Sequence, residues 1–162
     1  MIQRIQSLLL ILGVAIGILL LFLTFRQIIM NSERDVVKTV EYNLFHYSVA
    51  DEEGVIEKNG IPFSSLILVL IISTAALVNI FMYRKRSIQS TICRFLIVLS
   101  SALIVSFIFD LDQLGGVKFM VRDVPINYLI IALPVLMIIL FFLANKAIVK
   151  DEKLIRSAER IR

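Results

Sequence analysis

The stretch Arg84-Lys85-Arg86-Ser87-Ile88-Gln89-Ser90-Thr91-Ile92-Cys93-Arg94 decides the fold, because it is a basic segment between long apolar runs. It carries four positive charges and no negative charge, and two apolar runs precede it while two follow. Each run is long enough to cross the hydrocarbon core of a bilayer as a helix, which takes about 20 residues. The stretch therefore predicts a turn between the second and third of four membrane spans.

Composition supports the same fold class. Of 162 residues, 59% are hydrophobic and only 19% are charged, whereas a soluble domain has roughly 45–50% apolar and about 25% charged residues. This excludes an ordinary soluble domain. We predict an all-α integral membrane protein, a four-transmembrane-helix bundle that forms one domain over residues 1–162.

The four spans are predicted at about 6–26, 61–83, 88–109 and 124–145. The first has a longer apolar core than a signal peptide and no A-x-A-like cleavage site, which favours an uncleaved signal anchor. The third has an uncharged part of only residues 95–109, so we expect its helix to begin nearer Ser87, with Arg94 reaching to the membrane interface.

The segments outside the spans predict a small antiparallel sheet and a terminal helix. Loop 27–60 alternates polar and apolar residues in strands near 36–49 and 54–58, and loop 110–123 contains a third near 116–122. In the tail, 146–162, basic residues recur at helical spacing. That pattern predicts a helix, and it leaves open whether the helix continues span four or bends onto the membrane surface.

The distribution of Lys and Arg predicts the orientation. Eleven of the 17 fall in the N-terminus, the basic stretch and the tail, whereas the other two loops, counted with Arg26 just before the first of them, hold six. Because cytoplasmic loops carry the excess of basic residues, we expect both termini in the cytoplasm and the sheet outside. The basic excess is typical of contact with anionic headgroups, and nucleic acid is not an expected direct partner.

Two groups of residues are candidates for contacts. Arg84, Lys85 and Arg86 would share a cytoplasmic contact surface with a stripe on the tail that comprises Lys150, Lys153, Arg156 and Arg160. Small residues in the spans suit close approach of helices, and the candidates for this packing are Gly13, Gly17, Ser73, Ala76 and Ser101.

No catalytic, cofactor-binding or metal-binding set is predicted. His46 is the single histidine and falls in a predicted strand, so a surface or sheet histidine is favoured over a metal ligand. Asp110 and Asp112 do not match a calcium-binding loop, and solvated turn charges are favoured there. Asn79 lies near the basic end of span two, where interfacial solvation is expected. We predict a protein that is not an enzyme.

Both ends of the chain resemble one family. Met1-Ile2-Gln3-Arg4-Ile5-Gln6 and the closing Lys150–Arg162 are similar to the terminal signatures of a membrane family of Bacteroidota, the domain of unknown function 4293. Residues 7–9, Ser-Leu-Leu, depart from that family's form, which has a Thr and an aromatic residue there. The resemblance implies four spans and a bacterial inner-membrane location, and it transfers no catalytic residue.

Two functions of different classes remain. The first is a non-catalytic accessory or assembly subunit of a larger inner-membrane complex, with protein-export or insertion machinery as one candidate host and other inner-membrane proteins as partners. The alternative is a small transporter or lipid-binding protein with a groove lined by Thr74, Ser100, Ser101 and Ser106. The predicted spans contain no Asp, Glu, Lys or His, which weighs against a proton- or ion-coupled carrier.

Overall fold

The described part of the chain forms four helices and four strands. The computed structural model describes residues 3–31, 36–51, 56–82, 85–115 and 129–159. The helices are α1 (Gln3–Phe22), α2 (Phe63–Phe81), α3 (Arg86–Gly115) and α4 (Leu129–Glu159). The strands β1 (Phe25–Asn31), β2 (Val36–Asn43), β3 (His46–Asp51) and β4 (Ile56–Gly60) all lie between α1 and α2.

The helices form a ring in which each packs against its neighbours in sequence and α4 closes against α1. The interior contains apolar side chains from all four helices, among them Leu10, Ile72, Leu103 and Met137, none of which is exposed. All four helices are long and apolar enough to cross a membrane. The lengths and composition are those of a multi-pass membrane protein.

The strands form one antiparallel sheet in the order β1-β2-β3-β4. β2 and β3 are joined by a two-residue turn, Leu44-Phe45, in which the Phe45 N–H donates to Asn43 Oδ1 at 2.6 Å. Leu44 is buried in the apolar core, whereas Phe45 is half exposed. We call the end of the bundle that carries this sheet the sheet end, and the end with the α2–α3 turn the loop end.

The small antiparallel sheet was predicted, but its strands were placed incorrectly. The predicted strand near 36–49 is two strands, because the chain reverses at Leu44-Phe45. β1 was missed entirely, since residues 25–26 were assigned to span one although α1 ends at Phe22. β4 begins at Ile56, close to the predicted 54–58. The predicted strand near 116–122 lies outside the described residues.

Two helices extend beyond their predicted spans. α3 begins at Arg86, as the shortness of its uncharged part indicated, but continues to Gly115 instead of ending in a loop at residue 110. α4 is one helix of 31 residues that includes most of the tail, about 46 Å long at 1.5 Å per residue. The tail therefore continues the fourth apolar helix, and Pro134 does not interrupt it.

Candidate functional site

At the sheet end, one carboxylate connects the sheet to two helices. Asp110 Oδ2 accepts a hydrogen bond from the Tyr42 hydroxyl of β2 at 2.9 Å. Asp110 also accepts from two hydroxyls at the start of α2: Ser64 bonds Oδ1 at 3.1 Å, and Ser65 bonds Oδ2. The hydroxyl oxygen of Ser65 lies 2.9 Å from that of Ser106, which belongs to α3, so the two hydroxyls share a hydrogen bond. We call these five residues the Asp110 clasp.

Tyr42 is the part of the clasp that the sheet contributes. Its side chain is 1% exposed, and its ring packs edge-on against Phe107 with centroids 6.2 Å apart. Burial, followed by the charge of Asp110, raises the pKa of the Tyr42 phenol above its ordinary value. Tyr42 therefore remains a neutral donor, and the clasp joins sheet and bundle through both an apolar and a polar contact.

The expectation that Asp110 is a solvated turn charge is wrong. The residue lies within α3, is partly buried, and has both carboxylate oxygens occupied by hydroxyl donors. Hydrogen bonds to a charged acceptor are stronger than those between neutral groups, so the arrangement fixes β2 on the ends of α2 and α3. The sequence did contain a signal. Ser64 and Ser65 open span two and Asp110 closes span three, and because neighbouring spans run antiparallel, these two ends lie on the same side of the bundle.

The loop end is held by separate polar pairs. The Gln6 amide of α1 donates to Asp151 Oδ2 of α4 at 2.5 Å. The Ser90 hydroxyl of α3 donates to Asn145 Oδ1 of α4 at 2.7 Å. Asp151 is 6% exposed, and its second oxygen, Oδ1, has no hydrogen-bond partner among the described residues.

Asn79 belongs to this layer of polar pairs. It is fully buried, and its amide nitrogen bonds the Gln89 carbonyl at 3.4 Å and Cys93 Sγ at 3.2 Å. The side-chain amide of Gln89 in turn donates a hydrogen bond to the backbone carbonyl of Asn79 at 3.3 Å. The expectation of interfacial solvation for Asn79 is therefore wrong, and the residue instead joins α2 to α3.

The small residues singled out for packing occupy different positions. A Cβ on Gly13 would lie 2.5 Å from the ring of Phe141 in α4, and one on Gly17 would overlap the Ser73 hydroxyl of α2. Ala76 is fully buried. Ser101 differs from the expectation, because it is exposed and donates to the Ile97 carbonyl of its own helix. It lies outside the packing between the described helices.

The predicted contact surface is partly described. Lys85, Lys150 and Lys153 are exposed at the loop end, and Arg86 is partly exposed. Arg84 and Arg160 lie outside the described residues, and of Arg156 only its place in α4 is described. Lys150 and Lys153 occupy the side of α4 opposite the buried Ile148 and Asp151. Sequence reasoning omitted Lys146, which is exposed one turn before Lys150.

The remaining candidates are distributed over the molecule. His46 is exposed at the start of β3. Within the described residues, no group of three or more His, Cys, Asp or Glu side chains is placed to hold a metal ion. The four hydroxyls of the hypothetical groove do not converge, because Thr74 and Ser101 are exposed and Ser100 donates to Leu96 of its own helix. The fourth, Ser106, belongs to the Asp110 clasp.

The chain matches the model of a known protein family. A family model, described as a domain of unknown function (DUF4293), matches residues 2–161. The chain belongs to this family. The match covers the sheet as well as the helices, so the whole described architecture lies within the family's extent. A comparison with curated proteins found no match.

Proposed function

We propose that this chain is a non-catalytic accessory or assembly subunit of a larger bacterial inner-membrane complex. The observation that carries the proposal is the Asp110 clasp, which holds a four-stranded sheet in a fixed orientation on the end of the bundle. A surface fixed in this way can bind a partner without first losing conformational freedom, which lowers the cost of association.

The use made of the buried and partly buried carboxylates favours the same class of function. The carboxylates of Asp110 and Asp151 accept hydrogen bonds from other elements of the chain. A catalytic centre instead needs a nucleophile and a base that converge beside a space for substrate. The polar chemistry of the described residues is therefore better suited to holding the bundle together than to turnover.

The proposal includes an orientation, with the loop end in the cytoplasm and the sheet on the outer side of the inner membrane. Eleven of 17 Lys and Arg residues then lie inside, as the positive-inside rule requires. The exposed stripe of Lys146, Lys150 and Lys153 would present positive charge to a cytoplasmic partner. Protein-export or insertion machinery is one candidate host.

Orientation can be measured with cysteine variants. The single native cysteine, Cys93, is buried and should give little background. A membrane-impermeant maleimide applied to spheroplasts is expected to label His46→Cys and to label Lys150→Cys only after lysis. The reverse pattern would overturn the orientation.

The partner hypothesis is tested by extracting tagged protein in a mild detergent, followed by affinity purification and mass spectrometry. A membrane protein that copurifies reproducibly is expected. Reversing the stripe with Lys150→Glu and Lys153→Glu should release a cytoplasmic partner, whereas Lys150→Arg and Lys153→Arg, which keep the charge, should not. Recovery of only monomer or homo-oligomer from the unmodified protein would refute the proposal.

A further inference from the structure

Arg94 places a charge where the membrane's apolar core begins. It lies on α3, and the uncharged residues that follow it, 95–109, precede Asp110. Fifteen residues of helix span about 22 Å, less than the roughly 30 Å of a hydrocarbon core. Arg94 is exposed, so its guanidinium must lie at the level where acyl chains meet headgroups.

The guanidinium is directed toward the seam between α3 and α4. Arg94 Nη2 donates to Ser90 Oγ at 3.5 Å, and Ser90 donates to Asn145 of α4 at 2.7 Å. Ser90 is 2% exposed, so it is a fixed acceptor. A guanidinium has five N–H donors, and Ser90 is the polar partner that the described residues provide for Arg94. Most of its donors are therefore available to a ligand.

A second cation flanks the same seam from α4. Lys146 follows Asn145 directly and is exposed, and Arg94 lies one helical turn beyond Ser90, so the Ser90–Asn145 bond places both basic residues within about 6 Å of it along the helix axes. Below them, on the exposed side of α3, Phe95 and Val98 are each 65% exposed. A ligand that fits this seam has an anionic group for the two cations and apolar chains for the helix surface.

We propose that the loop-end seam of α3 and α4 is a binding site for one anionic phospholipid, with its phosphate held by Arg94 and Lys146. The planar guanidinium fork can bind two oxygens of a phosphate. Exposed apolar side chains beside the cations favour a lipid over free phosphate. The site needs only the bilayer and is independent of the proposed protein partners.

The test uses the full-length protein in detergent, with native mass spectrometry to count bound lipids. Phosphatidylglycerol and phosphatidylcholine with identical acyl chains are added at equal concentration. We expect a preference for one phosphatidylglycerol, and roughly tenfold weaker retention in Arg94→Gln, the loss of one charge-assisted contact. Lys85→Gln is the matched control, because Lys85 is an exposed cation at the same end of the bundle.

Three results would overturn the site. The first is equal retention in Arg94→Gln and the unmodified protein, and the second is an equal loss in Lys85→Gln, which would indicate general charge attraction. The third is competition by millimolar inorganic phosphate, which would assign the site to the free anion. Should Arg94→Gln fail to fold, Arg94→Lys replaces it. That variant keeps the charge and loses the fork, so its retention of phosphatidylglycerol is expected to fall below that of both the unmodified protein and Lys85→Gln.

Discussion

The two ends of the bundle are held by side-chain hydrogen bonds in different arrangements. At the sheet end, three hydroxyls converge on the single carboxylate of Asp110. At the loop end, the bonds are separate pairs, such as Gln6 with Asp151 and Ser90 with Asn145. A convergent arrangement depends on one residue, whereas separate pairs distribute the dependence. The difference predicts that the sheet end is the more sensitive to a single substitution.

Asp110→Ala should produce the largest effect. The change leaves the buried Tyr42 hydroxyl without its acceptor, whereas Ser65 keeps its contact with Ser106 and Ser64 is exposed. We expect a loss of about 3 kcal/mol, the upper end of the range of about 1–3 kcal/mol for an unsatisfied buried group. Thermal unfolding can be followed with a thiol-reactive dye, because the one cysteine, Cys93, is buried until the bundle opens.

Asp110→Asn is the control for that experiment, because it keeps an acceptor oxygen and removes the charge. It should cost less than half as much as Asp110→Ala. Equal stability of Asp110→Ala and the unmodified protein would show that the clasp does not hold the sheet end.

Asn145→Ala at the loop end should have a smaller effect, about 1 kcal/mol, because it removes one acceptor from one buried hydroxyl. The Gln6–Asp151 pair remains in place. The same dye assay measures the change. In the double variant with Asp110→Ala, the two losses of unfolding free energy should add to within about 0.5 kcal/mol, because distant sites act independently. A larger interaction between the two changes would mean that the ends are not independent.

Tyr42→Phe should cost about 1 kcal/mol, since it removes one of three donors to Asp110 and keeps the ring packed on Phe107. Thermal denaturation in detergent, followed by circular dichroism, is the measurement. A loss as large as that of Asp110→Ala would assign the clasp to Tyr42 alone. That outcome would mean that the hydrogen bonds from Ser64 and Ser65 contribute little to the stability of the sheet end.

Alkaline pH should lower the stability of the sheet end by ionising Tyr42. Burial and the Asp110 charge raise the pKa of Tyr42 in the folded state, while the unfolded tyrosine ionises near pH 10. The stabilisation from the neutral phenol is therefore complete below about pH 10 and is lost as the pH rises above it. Stability measured by circular dichroism from pH 8 to 11 should fall less steeply in Tyr42→Phe than in the unmodified protein.

The two ends also differ in how far they could be predicted from sequence. Hydropathy and charge located all four apolar helices, because membrane spans need long uncharged runs. The Asp110 clasp was missed because its members lie up to 68 residues apart along the chain, and local patterns do not report such pairs. β1 was missed since Phe25 and Arg26 follow the apolar run of α1 without a turn signal. The burial of Asn79 depends on how α2 packs on α3, which hydropathy does not specify.

If the chain is a subunit, as proposed, other membrane proteins lie against the exposed ends of the bundle in cells, and photo-crosslinking detects that contact. A photoreactive residue would replace exposed His46 at the sheet end or exposed Lys150 at the loop end, with exposed Val98 in the apolar part of α3 as the control. We expect positions 46 and 150 to give discrete, reproducible adducts with other membrane proteins, and position 98 to give mainly lipid. Lipid adducts alone at all three positions would show that the chain has no protein partner at either end.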